Sequence, residues 1–384
     1  MNFIDGSSER ASYNGVDVYL FDKKKEILPV IGSVTVKDVA RKADVSVGTV
    51  SRVFNNHSNV TADIRQRVLQ AATELGYARK VSQEPPRNGS RSVKEIGFLY
   101  CSRLDGGAAT NNPFWSHILY GVEREARKFN IKVTYQAIRD LVRTPLLLVS
   151  TIQDLKLGGI LLVGPADFEV IQILKHLNIP LVLIDNHVPG SAVDSVLCDN
   201  FEGASIAVRH LISQGHRRIA FIGGPVWPDS VQPVNKIYSI ERRAAAYRAA
   251  LFDAGLPIDN ELFASSDLST EGSYKACQRL LACNVPFSAL FCANDETAIG
   301  AMKALREAGR RVPEDVSIVG FDDIALVEHL TPALTTVRVN KEALGAVAVR
   351  SLLARADDPQ TIAVSHVLDV ALMKRESVAS YYEE

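Results

Sequence analysis

Gly48, Arg52 and Asn55 are spaced four and three residues apart, so on a helix they share one face, with Val50 and Val53 opposite. Such a face suits the reading of nucleic acid. Val47 and Gly48, in the first turn, leave the helix N-terminus free of a bulky side chain that would hold it off a major-groove floor. Arg52, one turn on, offers the planar two-pronged donor that matches O6 and N7 of guanine. The hydroxyls of Thr35, Ser46, Thr49, Ser51 and Thr61 suit phosphate oxygens, which set register without reading sequence.

A second set lies downstream. Asp185, Asn294, Asp295, Asp322 and Asp323 each stand at the end of a short apolar run. In open α/β sheets ligands bind beyond the C-terminal ends of strands. Carboxylates and an amide there suit a polyhydroxylated ligand, since each can hold paired hydroxyls. The same residues can instead cap the next helix, and Asp295 and Asp323 fit both roles equally. Phe114 and Trp115 open a helical stretch, placed either to stack on a ring or to pack in a core.

The elements that must position these residues follow from periodicity. Residues 35–77 read as three short helices. Thr35 with Asp38 three residues on forms a capping box, and Val36, Val39, Ala40 and Ala43 follow at helical spacing. Asp44 to Ser46 breaks the pattern, and Ser46 caps a second helix through Val50, Val53 and Phe54. Thr61 caps a third, with Ile64, Val68, Ala71 and Leu75 on one face and Gly76 as its stop. Two helices joined by about three residues are the geometry of a helix-turn-helix.

From residue 95 onward apolar runs at 96–100, 131–136, 158–163, 180–185, 218–223, 288–293 and 316–321 alternate with amphipathic stretches at 115–129, 201–214, 238–255, 271–284 and 296–309. Short continuous strands alternating with helices predict parallel sheets covered on both faces. Nearly 290 residues of that pattern exceed one typical sheet, so the expectation is α/β with two doubly wound subdomains and a cleft between them.

Residues 35–40, Ala43, Val45-Ser46, residues 49–53 and Asn55 resemble the DNA-binding headpiece of the lactose/galactose-repressor (LacI/GalR) family, nearly gap-free over some forty residues. The likeness continues in residues 215–220, Ala293-Asn294-Asp295, residues 320–323 and 334–337. It implies a helix-turn-helix headpiece followed by a two-subdomain, periplasmic-binding-protein-like effector domain. It places base-reading residues at Val47, Gly48 and Arg52. It also places the main ligand arginine at Arg243, the ligand carboxylate at Asp322 and the matching amide at Asn294, with Asp185 facing them from the other subdomain. Phe114, Trp115 and Cys198 complete the expected effector site. The function implied is a ligand-responsive transcriptional regulator, a repressor of carbohydrate use, binding a palindromic operator as a homodimer. Its effector would be a sugar or sugar derivative ahead of a purine.

The implied organisation is an N-terminal extension without order at 1–33, a DNA-binding domain at 34–78, a linker at 79–94 and an effector and dimerisation domain at 95–384. Within that domain one subdomain takes 95–198 and 338–365, the other 199–337 and 366–384, with crossings near 198, 337 and 365. The extension is a departure from the family. It is either an arm adding non-specific DNA affinity or a stretch upstream of the true start, the second being favoured. The linker departs as well. The family carries a hinge helix there whose leucine wedges into the minor groove, yet no leucine lies between Tyr77 and Ile96, and Pro85-Pro86 disfavours a helix. Less kinking of DNA is expected, with backbone contacts from Arg79, Lys80, Arg87 and Arg91 instead, and Tyr77 is a further candidate DNA contact.

Charge agrees with this division. The chain of 384 residues has a formal net charge of −1, but residues 34–94 hold eleven basic and five acidic side chains. A basic head on an acidic body is the footprint of a localised nucleic-acid contact. The five cysteines form no Cys-x-x-Cys pair or Cys/His cluster, which gives no support to a zinc site or disulfide framework, and no cofactor is expected. No eighteen-residue apolar run and no secretory leader is present, so no membrane partner and a cytoplasmic, nucleoid-associated bacterial location are expected. No terminal heptad repeat supports a tetramer. An enzyme acting on sugars or nucleotides is the alternative, but there is no G-x-G-x-x-G, P-loop, G-x-S-x-G or H-E-x-x-H motif. A stand-alone solute-binding protein would not account for residues 35–77.

Overall fold

A computed structural model describes residues 10–13, 16–19, 35–54, 60–75, 93–101, 112–138, 140–142, 144–224 and 237–382. The chain divides into two compact units, residues 1–87 and 88–384.

In the first unit, β1 (Arg10–Tyr13) and β2 (Val16–Tyr19) pair antiparallel, with Arg10 opposite Tyr19 and Tyr13 opposite Val16. This corrects the expectation of an extension wholly without order. The signal was legible: Asn14-Gly15 favours a tight hairpin turn, and the flanking segments carry aromatic and β-branched residues.

Three helices follow, α1 (Val36–Lys42), α2 (Val47–Phe54) and α3 (Ala62–Leu75). At the start of α1 the Thr35 backbone N–H and hydroxyl both donate to Asp38 Oδ2, at 2.9 and 2.6 Å. Asp44 takes a φ of +53° between α1 and α2, which ends the first helix and turns the chain into the second. Ser46 Oγ accepts the Thr49 N–H at 3.0 Å and so caps α2. Val39, Val50 and Val68, one from each helix, are fully buried around a core of small side chains. Each contributes roughly 1.5–3 kcal/mol by leaving water. Lys42 on α1 pairs with Glu74 on α3 at 2.8 Å, an exposed contact.

The second unit contains two six-stranded sheets. The first is built from β3 (Glu95–Tyr100), α4 (Pro113–Lys128), β4 (Lys132–Ala137), α5 (Pro145–Asp154), β5 (Gly159–Val163), α6 (Phe168–Lys175), β6 (Leu181–Ile184) and β7 (Asp194–Cys198). The second is built from α7 (Asn200–Ser213), β8 (Ile219–Gly223), α8 (Tyr238–Asp253), β9 (Phe263–Ser265), α9 (Thr270–Ala282), β10 (Ala289–Cys292), α10 (Asp295–Glu307), β11 (Ser317–Asp322) and β12 (Thr335–Val339). The chain then returns through α11 (Lys341–Asp357) to β13 (Ser365–Leu368) on the first sheet and ends with β14 (Val370–Met373) on the second.

Strand order is β13-β7-β6-β5-β3-β4 in one sheet and β14-β12-β11-β10-β8-β9 in the other. The two halves therefore repeat one topology, β3 answering to β8, β5 to β10 and β6 to β11. Every pairing in them is parallel except β12 with β14, so the second sheet departs from the all-parallel expectation at its edge. The inner strands are buried on both faces, as parallel strands between helix layers must be. The last crossing falls after Leu368, later than the expected 365, because β13 hydrogen-bonds to β7 from Ser365 to Leu368.

Helix α11 packs against α4 at two glycines. A Cβ on Gly121 would lie 2.3 Å from the Glu342 carbonyl oxygen, and one on Gly345 would lie 2.3 Å from that of Ile118. Only glycine permits this approach. Among the described residues no helix is long and apolar enough to cross a membrane.

Candidate functional site

In the first unit the polar residues of α2 face away from the core. Val50 and Val53 are buried, whereas Ser46, Val47, Gly48, Ser51 and Arg52 are exposed, and Val47 keeps 45% of its surface in solvent. An exposed valine in a helix's first turn has no folding role here. Gly48 is similar: a Cβ at that position would meet nothing nearer than Ser46 Oγ at 3.7 Å. The fold does not require a glycine there, and the bare backbone is available to a partner. Thr49 is half-buried, and its hydroxyl shares a 2.8 Å hydrogen bond with Ser46 Oγ. Thr35 is a cap whose hydroxyl serves Asp38, and the Thr61 carbonyl accepts the Arg65 N–H at 3.0 Å in the first turn of α3. Asn55, Tyr77, Arg79 and Lys80, with the rest of the linker to residue 92, lie outside the described residues.

In the second unit a cavity of about 110 Å³ lies where loops after equivalent strands of the two sheets converge. At roughly 10–15 Å³ per water-sized sphere, it has room on the scale of a monosaccharide ring. Asp185 follows β6 and Asp322 ends β11, the same place in the repeated topology. Both are buried and both have positive φ, 54° and 114°. Left-handed backbone at non-glycine residues is uncommon and collects at functional sites.

Arg243 lies between the two carboxylates. On α8 it stands four residues after Ser239 and four before Tyr247, so all three share the inward face. Only 3% of Arg243 is exposed. Its Nε donates to Asn200 Oδ1 at 2.8 Å and its Nη1 to the Ala293 carbonyl at 2.6 Å. The guanidinium sits 3.6 Å from the centre of the Phe321 ring and its Nη1 is 3.5 Å from Asp322 Oδ1, an ion pair too long to be a good hydrogen bond. Burial pushes the Asp185 carboxyl up to about 7, against the pull of Arg243. Burial likewise lifts Asp322 to about 6, opposed by Arg243 and Lys341. Asp185 Oδ1 is buried and accepts no hydrogen bond.

One wall of the cavity is aromatic. Asn112 Oδ1 accepts the Phe114 N–H at 2.9 Å and fixes the start of α4. Phe114 then meets Trp115 edge-on at 4.8 Å, and Trp115 lies 5.8 Å from Tyr100. Asn112 Nδ2 reaches Glu296 on the other subdomain at 3.3 Å, so a hydrogen bond spans the cleft.

Residues 35–80 match the bacterial regulatory proteins of the lacI family, and residues 208–378 match a periplasmic binding protein-like domain. The ribose operon repressor of Haemophilus influenzae is 31% identical over 347 residues, covering 90% of this chain and 99% of the relative. The chain belongs to the lacI family of bacterial regulatory proteins. Like its relatives it is a DNA-binding transcriptional regulator and not an enzyme. Among solved structures, this lacI-family chain resembles a complex of the transcriptional regulator CelR with cellobiose, at 31% identity and a TM-score of 0.68 over 90% of this chain and 99% of that one. It also resembles the lac repressor dimer bound to operator and the anti-inducer ONPF, at 27% identity and a TM-score of 0.63 over 90% and 99%.

The structure brings Phe114, Trp115, Asp185, Arg243, Asn294 and Asp322 of this lacI-family protein to one cavity. Asn294 is also a helix cap: its Oδ1 accepts the Thr297 N–H at 2.9 Å and its Nδ2 donates to the Leu268 carbonyl. Cys198 does not line the cavity. It is buried behind Arg243, and that burial pushes its thiol up to about 12. Asp295 and Asp323 have structural roles. Asp295 accepts from Thr336 Oγ1 at 2.5 Å and the Ile324 N–H at 2.9 Å, fixing the turn that carries Asp322. Burial works against the charge on Asp323, yet Arg338 and Arg375, at 2.6 and 2.7 Å, hold its carboxyl below the usual range. Sequence reasoning missed Glu296, which meets Asn112 across the cleft, and Asn200, which orients Arg243. Asn200 follows Asp199, the residue that caps α7, and its signal is only that of a polar residue in the first turn of a helix.

Proposed function

We propose that this regulator represses genes of carbohydrate use by binding a near-palindromic operator as a homodimer, and that a sugar or sugar derivative in the α8-lined cavity controls that binding. The observation that carries the effector assignment is Arg243, clamped by Asn200 and the Ala293 carbonyl between one buried carboxylate from each subdomain. A molecule that engages all three groups links the two subdomains and favours their closed arrangement. Helix α2 supplies the operator reader, with Val47, Gly48 and Arg52 at the bases and the Ser46 and Thr49 hydroxyls near phosphates. Two headpieces related by a two-fold axis suit two inverted half-sites. Complexes of related regulators with cellobiose and with ribose support a sugar as the ligand. A regulator of this kind acts in the cytoplasm, where the operator is.

Fluorescence anisotropy at fixed salt, with an operator selected from a random duplex pool, tests this reading against a set of sugars and purines. One sugar is expected to change operator affinity at least tenfold, about 1.4 kcal/mol of coupling. By linkage, operator must change that sugar's affinity by the same factor. Sequence-specific binding that no sugar alters, or sugar affinity indifferent to operator, overturns the allosteric assignment.

A further inference from the structure

The next step rests on the reading of the cavity as the effector site and concerns the charge of the molecule it takes. The repeated topology gives each half a carboxylate at the same strand end, Asp185 and Asp322. It does not give each half a cation. Helix α4, sixteen residues long like α8, carries the fully buried Ile118 at the sixth position, where α8 carries Arg243. One guanidinium therefore serves two carboxylates, and two of its N–H groups already bond Asn200 and Ala293. Asp267 and Glu296 add two more carboxylates to the lining. Lys341 adds no balancing donor, because its ammonium is held by the backbone carbonyls of Asp322, Asp323 and Val339 and does not line the space.

The second observation is Asp185 itself. It is 7% exposed, lines the cavity, and its Oδ1 accepts nothing from the protein. A buried acceptor without a donor is destabilising, and a ligand relieves it only by bringing a donor. An acid or phosphate group brings acceptors and negative charge into a space where acceptors and negative charge already exceed their partners. A hydroxyl pair or an ammonium brings what is missing.

We infer that the effector is an uncharged or amino-bearing polyol, and that the cavity discriminates against sugar acids and sugar phosphates. Asp185 and Asp322 would each accept from the ligand, Arg243 would donate to one of its oxygens, and Trp115 would cover an apolar ring face. Partial protonation near neutral pH does not reverse the preference, since a protonated Asp185 still leaves the lining without a surplus cation.

Calorimetric titration of the full chain tests this with matched probes: glucose, glucosamine, glucuronate and glucose 6-phosphate, and the corresponding galactose, mannose and ribose derivatives. In at least one set the neutral or amino member is expected to bind at least tenfold more tightly than its acid or phosphate. Asp185→Asn, which keeps the shape, is expected to shrink that preference at least fivefold, with thermal melting confirming a folded variant. An acid or phosphate that binds as tightly as its neutral counterpart overturns the inference, as does failure of every neutral and amino member at millimolar concentration. Arg243→Ala separates this from the site assignment. If the tightest probe binds the folded variant unchanged, the effector site lies elsewhere. If binding is lost in that variant while an anion was the tightest probe, the site stands and only the charge class is wrong.

Discussion

Helix α2 and the α8-lined cavity keep functional residues in opposite ways. On α2 the candidate reading residues Val47, Gly48 and Arg52 are exposed, and the core beneath is made by Val50 and Val53. In the cavity Arg243, Asp185 and Asp322 are buried, and Arg243 is bonded into the frame that supports it. Substitutions on α2 should therefore alter operator binding while sparing stability, whereas substitutions in the cavity should alter both. An operator-reading surface can diversify freely; a buried ligand site can change only with its supports.

The largest expected effect is at Arg243. Arg243→Ala removes the cation between two buried carboxylates and should cost about 3 kcal/mol in urea unfolding, with loss of effector response. The cost should be greater at pH 8 than at pH 5, where the orphaned carboxyls can take up protons. A stability change under 0.5 kcal/mol would mean that the cavity is as separable as α2. Next is Arg52→Ala, expected to weaken operator binding by about 1–3 kcal/mol in anisotropy and to relax preference at one base pair, with stability unchanged within about 0.5 kcal/mol.

The carboxylates provide a pH test. With Asp185 at about 7 and Asp322 at about 6, the folded chain holds protons that the unfolded chain releases near pH 4. The stability these groups contribute is therefore complete at low pH and is lost as pH rises through about 6–7. Asp185→Asn should flatten that slope and raise the unfolding free energy at pH 8, on the order of 1 kcal/mol for each pKa unit relieved. A steeper slope in the variant would refute the assignment. The smallest effect is the sharpest contrast. Gly48→Ala should stabilise the headpiece by about 0.5–1 kcal/mol, as alanine does in a helix, because the added Cβ meets only Ser46 Oγ at 3.7 Å. It should nonetheless weaken specific operator binding, and a variant that is both more stable and equally tight would show that the groove does not need the bare backbone.

The contrast also explains what could be read in advance. The α2 face was legible because helical period alone sorts Val50 and Val53 from Gly48 and Arg52. Strand-end residues Asp185, Asn294 and Asp322 were legible because the parallel strands before them are continuous apolar runs. Family likeness supplied Arg243, which lies mid-helix where no local pattern marks a ligand residue. Asn200 and Glu296 were not legible, since their contacts, to Arg243 and to Asn112, join segments far apart in the chain. Cys198 does not line the cavity, although its buried thiol interacts with Arg243, which does. The strands β7, β9, β12 and β13 were missed because their segments mix polar with apolar residues, and β14 because its apolar run is only Val370–Met373. The hairpin of β1 and β2 escaped because Gly, Ser, Asp and the Lys23-Lys24-Lys25 run dominate its surroundings.

The interleaved order of strands also governs how the protein can be made. The first sheet begins at Glu95 but is completed only by β13, and the second is completed only by β14, which ends at Met373. Neither half of the effector unit can close its sheet until nearly all of its sequence has been synthesised. The headpiece, contiguous from Val36 to Leu75, has its whole core available long before. Domains fold as units from the N-terminus during synthesis. A nascent chain therefore completes its headpiece core before its effector unit, and a truncated product would keep a folded headpiece without the unit expected to pair it with a second copy and to control it.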